Sequence, residues 1–460
     1  MSHTQARRAV VAVFATFVLN GFTFANWLSR IPTIRDELSL AQSELGLIIL
    51  IGSLGSILAM PLTGRILTRL GARRTVLLAA CLATAGLAVA VTGVAVGQPL
   101  ILGGGLFVTT MGIGGWDVAM NFAGARAEKA LGRAVMPAFH GGFSIGTVLG
   151  AALGAVAIAA GVPVPLHVMT VVGGALLAVT LLTRGFLPEE TPDGASSAGQ
   201  SPTPHSGVSF LRVWLEPRTL MVGLVVLAAA LTEGAANDWL ALAVVDGFDV
   251  PNATGATGLT IFLIGMTTMR FAGTMLLDRF GRVAILRLCT ALAIAGLALF
   301  TLVPWLPVAM AGAVLWGMGA ALGFPVGMSA ASDDPFRAAA RLSVVSTVGY
   351  AAFLVGPGTL GLLADAVGTR EALLAIMVPL VIGLLVIPAA REPEPRSQST
   401  GADSADGARS AGEEGAHAAG EEGAQAVAEE GTRVVAEEGE HSAGEDPCRS
   451  RRVTSHEDGC

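Results

Sequence analysis

Gly64-Arg65-Ile66-Leu67-Thr68-Arg69-Leu70-Gly71-Ala72-Arg73-Arg74 is a short basic stretch between two long apolar runs, and a shortened copy of it, Asp278-Arg279-Phe280-Gly281-Arg282, returns about 210 residues later between two more. Other landmarks keep nearly the same interval. Asn26-Trp27 ends the first apolar run and Asn237-Asp238-Trp239 lies near the end of the seventh, Cys81 is matched by Cys289, and Met111-Gly112 is matched by Met318-Gly319. A near-constant offset over four landmarks implies a duplicated unit.

The runs themselves set the class. Of 460 residues, 53% are apolar and 14% charged, where a soluble domain carries about 25% charged residues. Apolar stretches of about 20 residues, enough to cross a hydrocarbon core about 30 Å thick, recur from position 9 to position 390. This excludes a soluble enzyme, a nucleic-acid binder and a disordered scaffold. Breaks at charges and Gly/Pro turns predict twelve spans, over 9–29, 44–64, 75–96, 100–121, 136–159, 163–186, 218–243, 254–277, 283–303, 307–331, 341–364 and 370–390. The expected fold is an all-α membrane protein with two pseudo-symmetric six-helix bundles, 1–186 and 217–390. A Pro/Ser/Gly-rich linker over 187–216 joins them, and an acidic tail over 391–460 follows.

Positive charge sets the expected orientation. With the N-terminus inside, the inner segments hold 17 Lys and Arg, whereas the outer loops hold Arg30, Arg35 and Arg370. Both termini are then cytoplasmic in an inner (cytoplasmic) membrane. The net charge of −7 belongs to the tail, where Glu-Glu-Gly recurs every eight residues from 413 to 439 with no aromatic residue, as expected of a disordered extension.

The 6+6 arrangement with a central linker resembles the major facilitator superfamily of secondary transporters. The carriers of the resemblance are Gly64, Arg69, Gly71, Arg73 and Arg74 in the first loop motif, with Thr68 where the family has Asp, and Asp278, Arg279, Gly281 and Arg282 in the second. Asp117-x-x-x-Asn121, Glu128, Phe139-His140-Gly141-x-x-Ser144 and Gly349-Tyr350-x-x-Phe353 look like the fucose-permease-type branch. The resemblance implies alternating access to a central cavity, a proton as coupling ion and a small solute, sugar-like as the first expectation. Drug or metabolite efflux by proton antiport is the alternative. A membrane sensor signalling through the acidic tail is the alternative of another class. In the resemblance the loop motifs are gates, with Asp278 docked on a helix N-terminus of the other half.

An ionisable group inside a span costs at least about 2.5–3.5 kcal/mol and calls for a partner or a wet cavity. The body holds few. Glu233 falls near mid-membrane with Asn237 one turn on, and is the expected proton carrier, the other reading being a structural hydrogen bond to a neighbouring helix. Asp238 lies closer to the outer end. Asp117, with Asn121 one turn below, and His140 come out at similar depths, so they are read either as a proton-handling pair or as a salt bridge pinning two spans. Arg270 snorkels, attracts an anion or pairs with Glu233. Asn20 and Asn26 are the polar residues of the first span, at a place where the branch carries an acid. Trp27 and Trp239 are expected as interfacial anchors. No nucleotide loop, metal-ligand cluster or nucleophile–base motif is present, so neither ATP, a metal nor a cofactor is expected, nor is enzymatic activity. The expected partners are the lipid bilayer, a small solute and protons.

Overall fold

The computed structural model describes residues 3–133, 135–188, 210–334 and 337–392. Most of the linker and all of the acidic tail beyond 392 lie outside the described residues. In the first half the helices are α1 (His3–Leu28), α2 (Ile31–Leu38), α3 (Gln42–Ala95), α4 (Pro99–Leu131), α5 (Met136–Ala159) and α6 (Val164–Leu182). In the second half they are α7 (Phe210–Trp214), α8 (Pro217–Phe248), α9 (Asn252–Phe280), α10 (Arg282–Leu302), α11 (Leu306–Ala320), α12 (Gly323–Ala331), α13 (Ala338–Val367), α14 (Thr369–Ala372) and α15 (Met377–Val386).

Helix starts follow local chemistry. Pro99, Pro137, Pro165, Pro217 and Pro307 sit at the first or second position of α4, α5, α6, α8 and α11, where a missing N–H costs nothing.

Eleven helical segments among the described residues are long and apolar enough to cross a membrane. One of them, α3, runs for 54 residues. At 1.5 Å per residue that is roughly 80 Å, more than two crossings of a core about 30 Å thick. Inside it Gly71 takes φ 74°, ψ 173°, which turns the chain back and divides α3 into two spans, giving the expected twelve. Gly281, 210 residues on, takes φ 75°, ψ 164° between α9 and α10. This region of φ/ψ space is nearly closed to side-chain-bearing residues, which explains glycine in both loop motifs.

The repeat extends to packing. A Cβ placed on Gly86 of α3 would lie 2.4 Å from the Thr109 amide nitrogen of α4. One placed on Gly296 of α10 would lie 2.3 Å from the Trp316 amide nitrogen of α11. In each half the third and fourth spans therefore touch backbone to backbone, which is how helices gain contact area where water provides no driving force.

Two details depart from the sequence expectations. The tenth span is broken: α11 stops at Ala320 and α12 starts at Gly323. Trp27 and Trp239 are 9% and 1% exposed and belong to one buried cluster with Leu28, Ile31 and Leu240. They are packing residues, not interfacial anchors, because apolar neighbours of the same cluster enclose them.

Candidate functional site

In α8, Glu233 follows sixteen residues of helix, roughly half its length. Its carboxylate accepts two hydrogen bonds from Arg270 Nη2 on α9, at 3.0 Å to Oε1 and 3.1 Å to Oε2. Both side chains are about one quarter exposed, so the pair is only partly enclosed by protein. The other donors of Arg270 reach further. Nη1 lies 3.4 Å from Ser144 Oγ on α5, and Nε lies 3.4 Å from the Ala321 carbonyl. That carbonyl sits at the break between α11 and α12, where the regular helical ladder is interrupted. Thr267, one turn before Arg270, donates to the Ser144 carbonyl at 3.4 Å. One guanidinium thus joins the mid-helix acid, the bend of the tenth span and the opposite half of the molecule. Of the sequence readings of Arg270, pairing with Glu233 is the one the geometry adopts.

Asp117 stands opposite the face of α4 that packs on both parts of α3 through Gly112 and Gly115. It is exposed although it lies well inside a span, and Asn121 Nδ2 donates to its Oδ1 at 3.2 Å. Tyr350 of α13 belongs to an aromatic row, with ring centroids 6.3 Å from both Phe324 and Phe353. His140 is exposed and meets the Phe17 ring edge-on at 5.4 Å. No hydrogen bond or ion pair joins His140 to Asp117 among the described residues.

The remaining polar candidates are placed differently. Asn26 is buried and donates to the Gly150 carbonyl at 3.3 Å, tying α1 to α5. Asn20 is buried with its Nδ2 unpaired, and the Asn237 Oδ1 is likewise buried without a partner. Asp238 is half-buried and has no hydrogen bond or ion pair among the described residues.

The loop motifs differ between halves. Gly64, Arg69, Arg73 and Arg74 are exposed, as are Asp278 and Arg279. The side chains of Arg69, Arg73, Arg74 and Asp278 have no hydrogen bond or ion pair among the described residues, and Arg279 lies 5.3 Å over the Phe280 ring. Asp278 is therefore not docked on the other half in this conformation. Arg282 is engaged within its own half, with Asp333 at 2.9 Å.

The opposite face is latched across the halves. Arg35 Nη1 contacts both oxygens of Asp246 at 2.7 Å, and its Nη2 contacts Asp36 at 2.7 Å. Asp365 at the end of α13 accepts from the Gln42 and Ser43 backbone amides at 2.9 and 3.1 Å, capping the start of α3. Of these residues Asp36, Gln42, Asp246 and Asp365 are absent from the sequence reading, Arg35 enters it only as an outer-loop charge, and Ser144 only as part of a motif. The signal that finds them is the 210-residue interval, which pairs Asp36 with Asp246.

The family model described as Major Facilitator Superfamily matches residues 13–340 and 222–436. The chain belongs to the major facilitator superfamily. An uncharacterised transporter of Sinorhizobium fredii is 34% identical over 381 residues, covering 80% of this chain and 97% of the relative. The membrane protein MosC of Rhizobium meliloti is 28% identical over 378 residues, covering 82% and 88%. Among solved structures, the nucleoside transporter NupG has a TM-score of 0.66 at 14% identity, covering 84% of this chain and 98% of that one. A single-residue variant of the E. coli fucose:proton symporter FucP has a TM-score of 0.57 at 15% identity, covering 84% and 98%. At these identities the solved structures share the major facilitator fold with this chain. The major facilitator assignment makes it a multi-pass membrane protein of a family whose members move small solutes.

Proposed function

We propose that this protein is a secondary active transporter of the cytoplasmic membrane, with both termini inside, that moves a small polar solute by alternating access and is driven by protons. The observation that supports this most is the asymmetry between its faces. The face without the loop motifs is tied across the halves by Arg35, Asp246, Asp365 and the start of α3. The face with the motifs leaves Asp278 unpaired and exposed. In the proposed orientation this is an inward-open carrier with its outer gate shut.

Glu233 is the coupling group. As a carboxylate it holds Arg270. A proton on Glu233 removes the charge that fixes the guanidinium, which is then free to re-partner with Ser144, His140 or the solute. While Glu233 is ionised Arg270 is already paired, so in this arrangement an anionic solute competes with Glu233 for the guanidinium, which favours a neutral, hydroxyl-bearing one. FucP is a fucose:proton symporter and NupG a nucleoside transporter, and a sugar-like solute is accordingly the first to test. Asp117, Asn121 and Tyr350 supply hydrogen-bonding groups and a ring from opposite halves.

The test is uptake of a labelled sugar and nucleoside panel into proteoliposomes under an imposed pH gradient. The expected result is gradient-driven accumulation of one solute class, with Glu233→Gln losing accumulation while retaining solute exchange. Gradient-driven accumulation that survives in Glu233→Gln at the wild-type level removes Glu233 from coupling. Absence of uptake across the panel, with export of a hydrophobic cation instead, replaces import by efflux.

A further inference from the structure

The residues that shut the outer face obey the internal repeat. Asp36 and Asp246 are 210 positions apart, and so are Gln42 and Asn252. Gln42 Nε2 of the first half donates to Asp246 Oδ2 of the second at 2.9 Å. Asn252 Nδ2 of the second half donates to Asp36 Oδ2 of the first, also at 2.9 Å. Each half thus offers an aspartate and, six residues on, a carboxamide at the first turn of the next membrane helix, and each carboxamide reaches the aspartate of the other half. The correspondence includes a defect: the carboxamide oxygens of Gln42 and Asn252 are both buried without a partner.

One residue breaks the symmetry. Arg35 contacts Asp36 at 2.7 Å and Asp246 at 2.7 Å, so it sits between the two equivalent carboxylates. Its counterpart 210 residues later is Val245, which cannot repeat the contact. Thr369 adds one donor to Asp246 at 2.8 Å, again from one half only. The cluster carries one positive and two negative charges, and without the arginine two carboxylates face one another across the seam.

We infer that Arg35 is the pin of a pseudo-two-fold outer gate whose ring is Asp36, Gln42, Asp246 and Asn252, and that its charge decides how much of the protein rests with the outer face closed. The inference rests on the alternating-access reading, and it specifies which residues set the balance. The ring is built for reversible opening. All its bonds are polar, each is replaced by water when the halves part, and closure strands two amide oxygens that water would satisfy. Arg35 keeps Asp36 as a neighbour in sequence whichever way the halves stand, so only its bond to Asp246 changes with state. Asp365 on the α3 N-terminus adds a second hold on the same side.

The experiment is a distance measurement. Spin labels at Gln98→Cys and Trp305→Cys, both exposed outer-face positions away from the ring, report the separation of the halves by double electron–electron resonance in nanodiscs, in a background without the native cysteines. Arg35→Gln is expected to move the population at least tenfold toward the longer outer distance. Asp36→Asn with Asp246→Asn, which leaves the arginine without either carboxylate, is expected to move it the same way. The triple variant Arg35→Gln, Asp36→Asn, Asp246→Asn, a neutral ring of amides, is expected to return toward the closed distribution. That recovery would not follow if Arg35→Gln merely impaired folding. An Arg35→Gln distribution equal to that of the wild type overturns the pin, and so does a triple variant no more closed than Arg35→Gln. Whether the wild type itself visits the longer distance is a separate readout. If it never does, with or without a pH gradient, the carrier reading fails, while the comparison of Arg35→Gln with wild type still decides the gate.

Discussion

Removing Glu233 altogether, as Glu233→Ala, leaves Arg270 with only Ser144 Oγ and the Ala321 carbonyl, each at 3.4 Å. Breaking a fully buried ion pair by deleting one partner costs about 3–5 kcal/mol, and an exposed pair is worth about 0–1 kcal/mol. With both side chains about one quarter exposed, the cost falls between these, at roughly 2–3 kcal/mol. Arg270→Ala leaves the carboxylate stranded and costs a similar amount. The double variant removes both charges, so its loss is expected to equal either single loss and not their sum, a coupling energy of roughly 2 kcal/mol. Thermal unfolding of purified protein, followed by tryptophan fluorescence, gives the four corners of the cycle. Additive losses in the double variant would refute the reasoning, because they would mean that the two side chains act independently of the hydrogen bonds between them.

Gly71→Ala and Gly281→Ala each force a Cβ into a backbone region that costs about 1–3 kcal/mol, and both are expected to lower the melting temperature even though a Cβ at Gly281 meets open space; equal stability in both variants would count against the turn-back role. Gly86→Ala and Gly296→Ala place a methyl group within 2.4 and 2.3 Å of a backbone nitrogen; each is expected to cost about 1–3 kcal/mol by overpacking and to cut the yield of monodisperse protein in size-exclusion chromatography. Glu216, just outside the eighth helix, is held below the usual carboxylate range first by its hydrogen bonds from the Arg341 guanidinium. A depressed folded-state pKa gives stability that is present above the ordinary value of 4.5 and is lost as pH falls through the folded value. Glu216→Gln is therefore expected to melt below wild type at pH 7, with the gap closing as both are titrated below pH 4.5, read from paired melting curves.

The fold was legible because membrane crossing leaves a length signal and duplication leaves an interval. The span expected over 136–159 is α5 from Met136 to Ala159, and those expected over 218–243 and 254–277 lie inside α8 and α9. The sequence reading runs the tenth span unbroken over 307–331, yet Pro325 has no N–H to donate to the Ala321 carbonyl four residues earlier, and Arg270 Nε on another helix lies 3.4 Å from that freed carbonyl. Glu233 and Arg270 could be found singly because a charge in an apolar run stands out, whereas their mutual bond depends on how α8 and α9 are rotated, which hydropathy does not encode. Ser144 is one hydroxyl among many, and only the fold brings it to the guanidinium. Nothing in hydropathy or charge singles out Asp36 and Asp246, and only their 210-residue separation, the interval already kept by the glycine and tryptophan landmarks, relates them.

A contact in which position 36 of one half meets position 252 of the other, while 246 meets 42, has the form made by two identical subunits across a dyad: residue i touches j and j touches i. Two copies of a six-span unit with such an acid and amide would close one mouth of a homodimer with those two groups contributed twice. In a single chain one copy is free to differ. An arginine at position 35 opposite a valine at position 245 is a residue that a strict homodimer could never hold on one side alone, and it leaves the strength of the proposed gate adjustable at one codon.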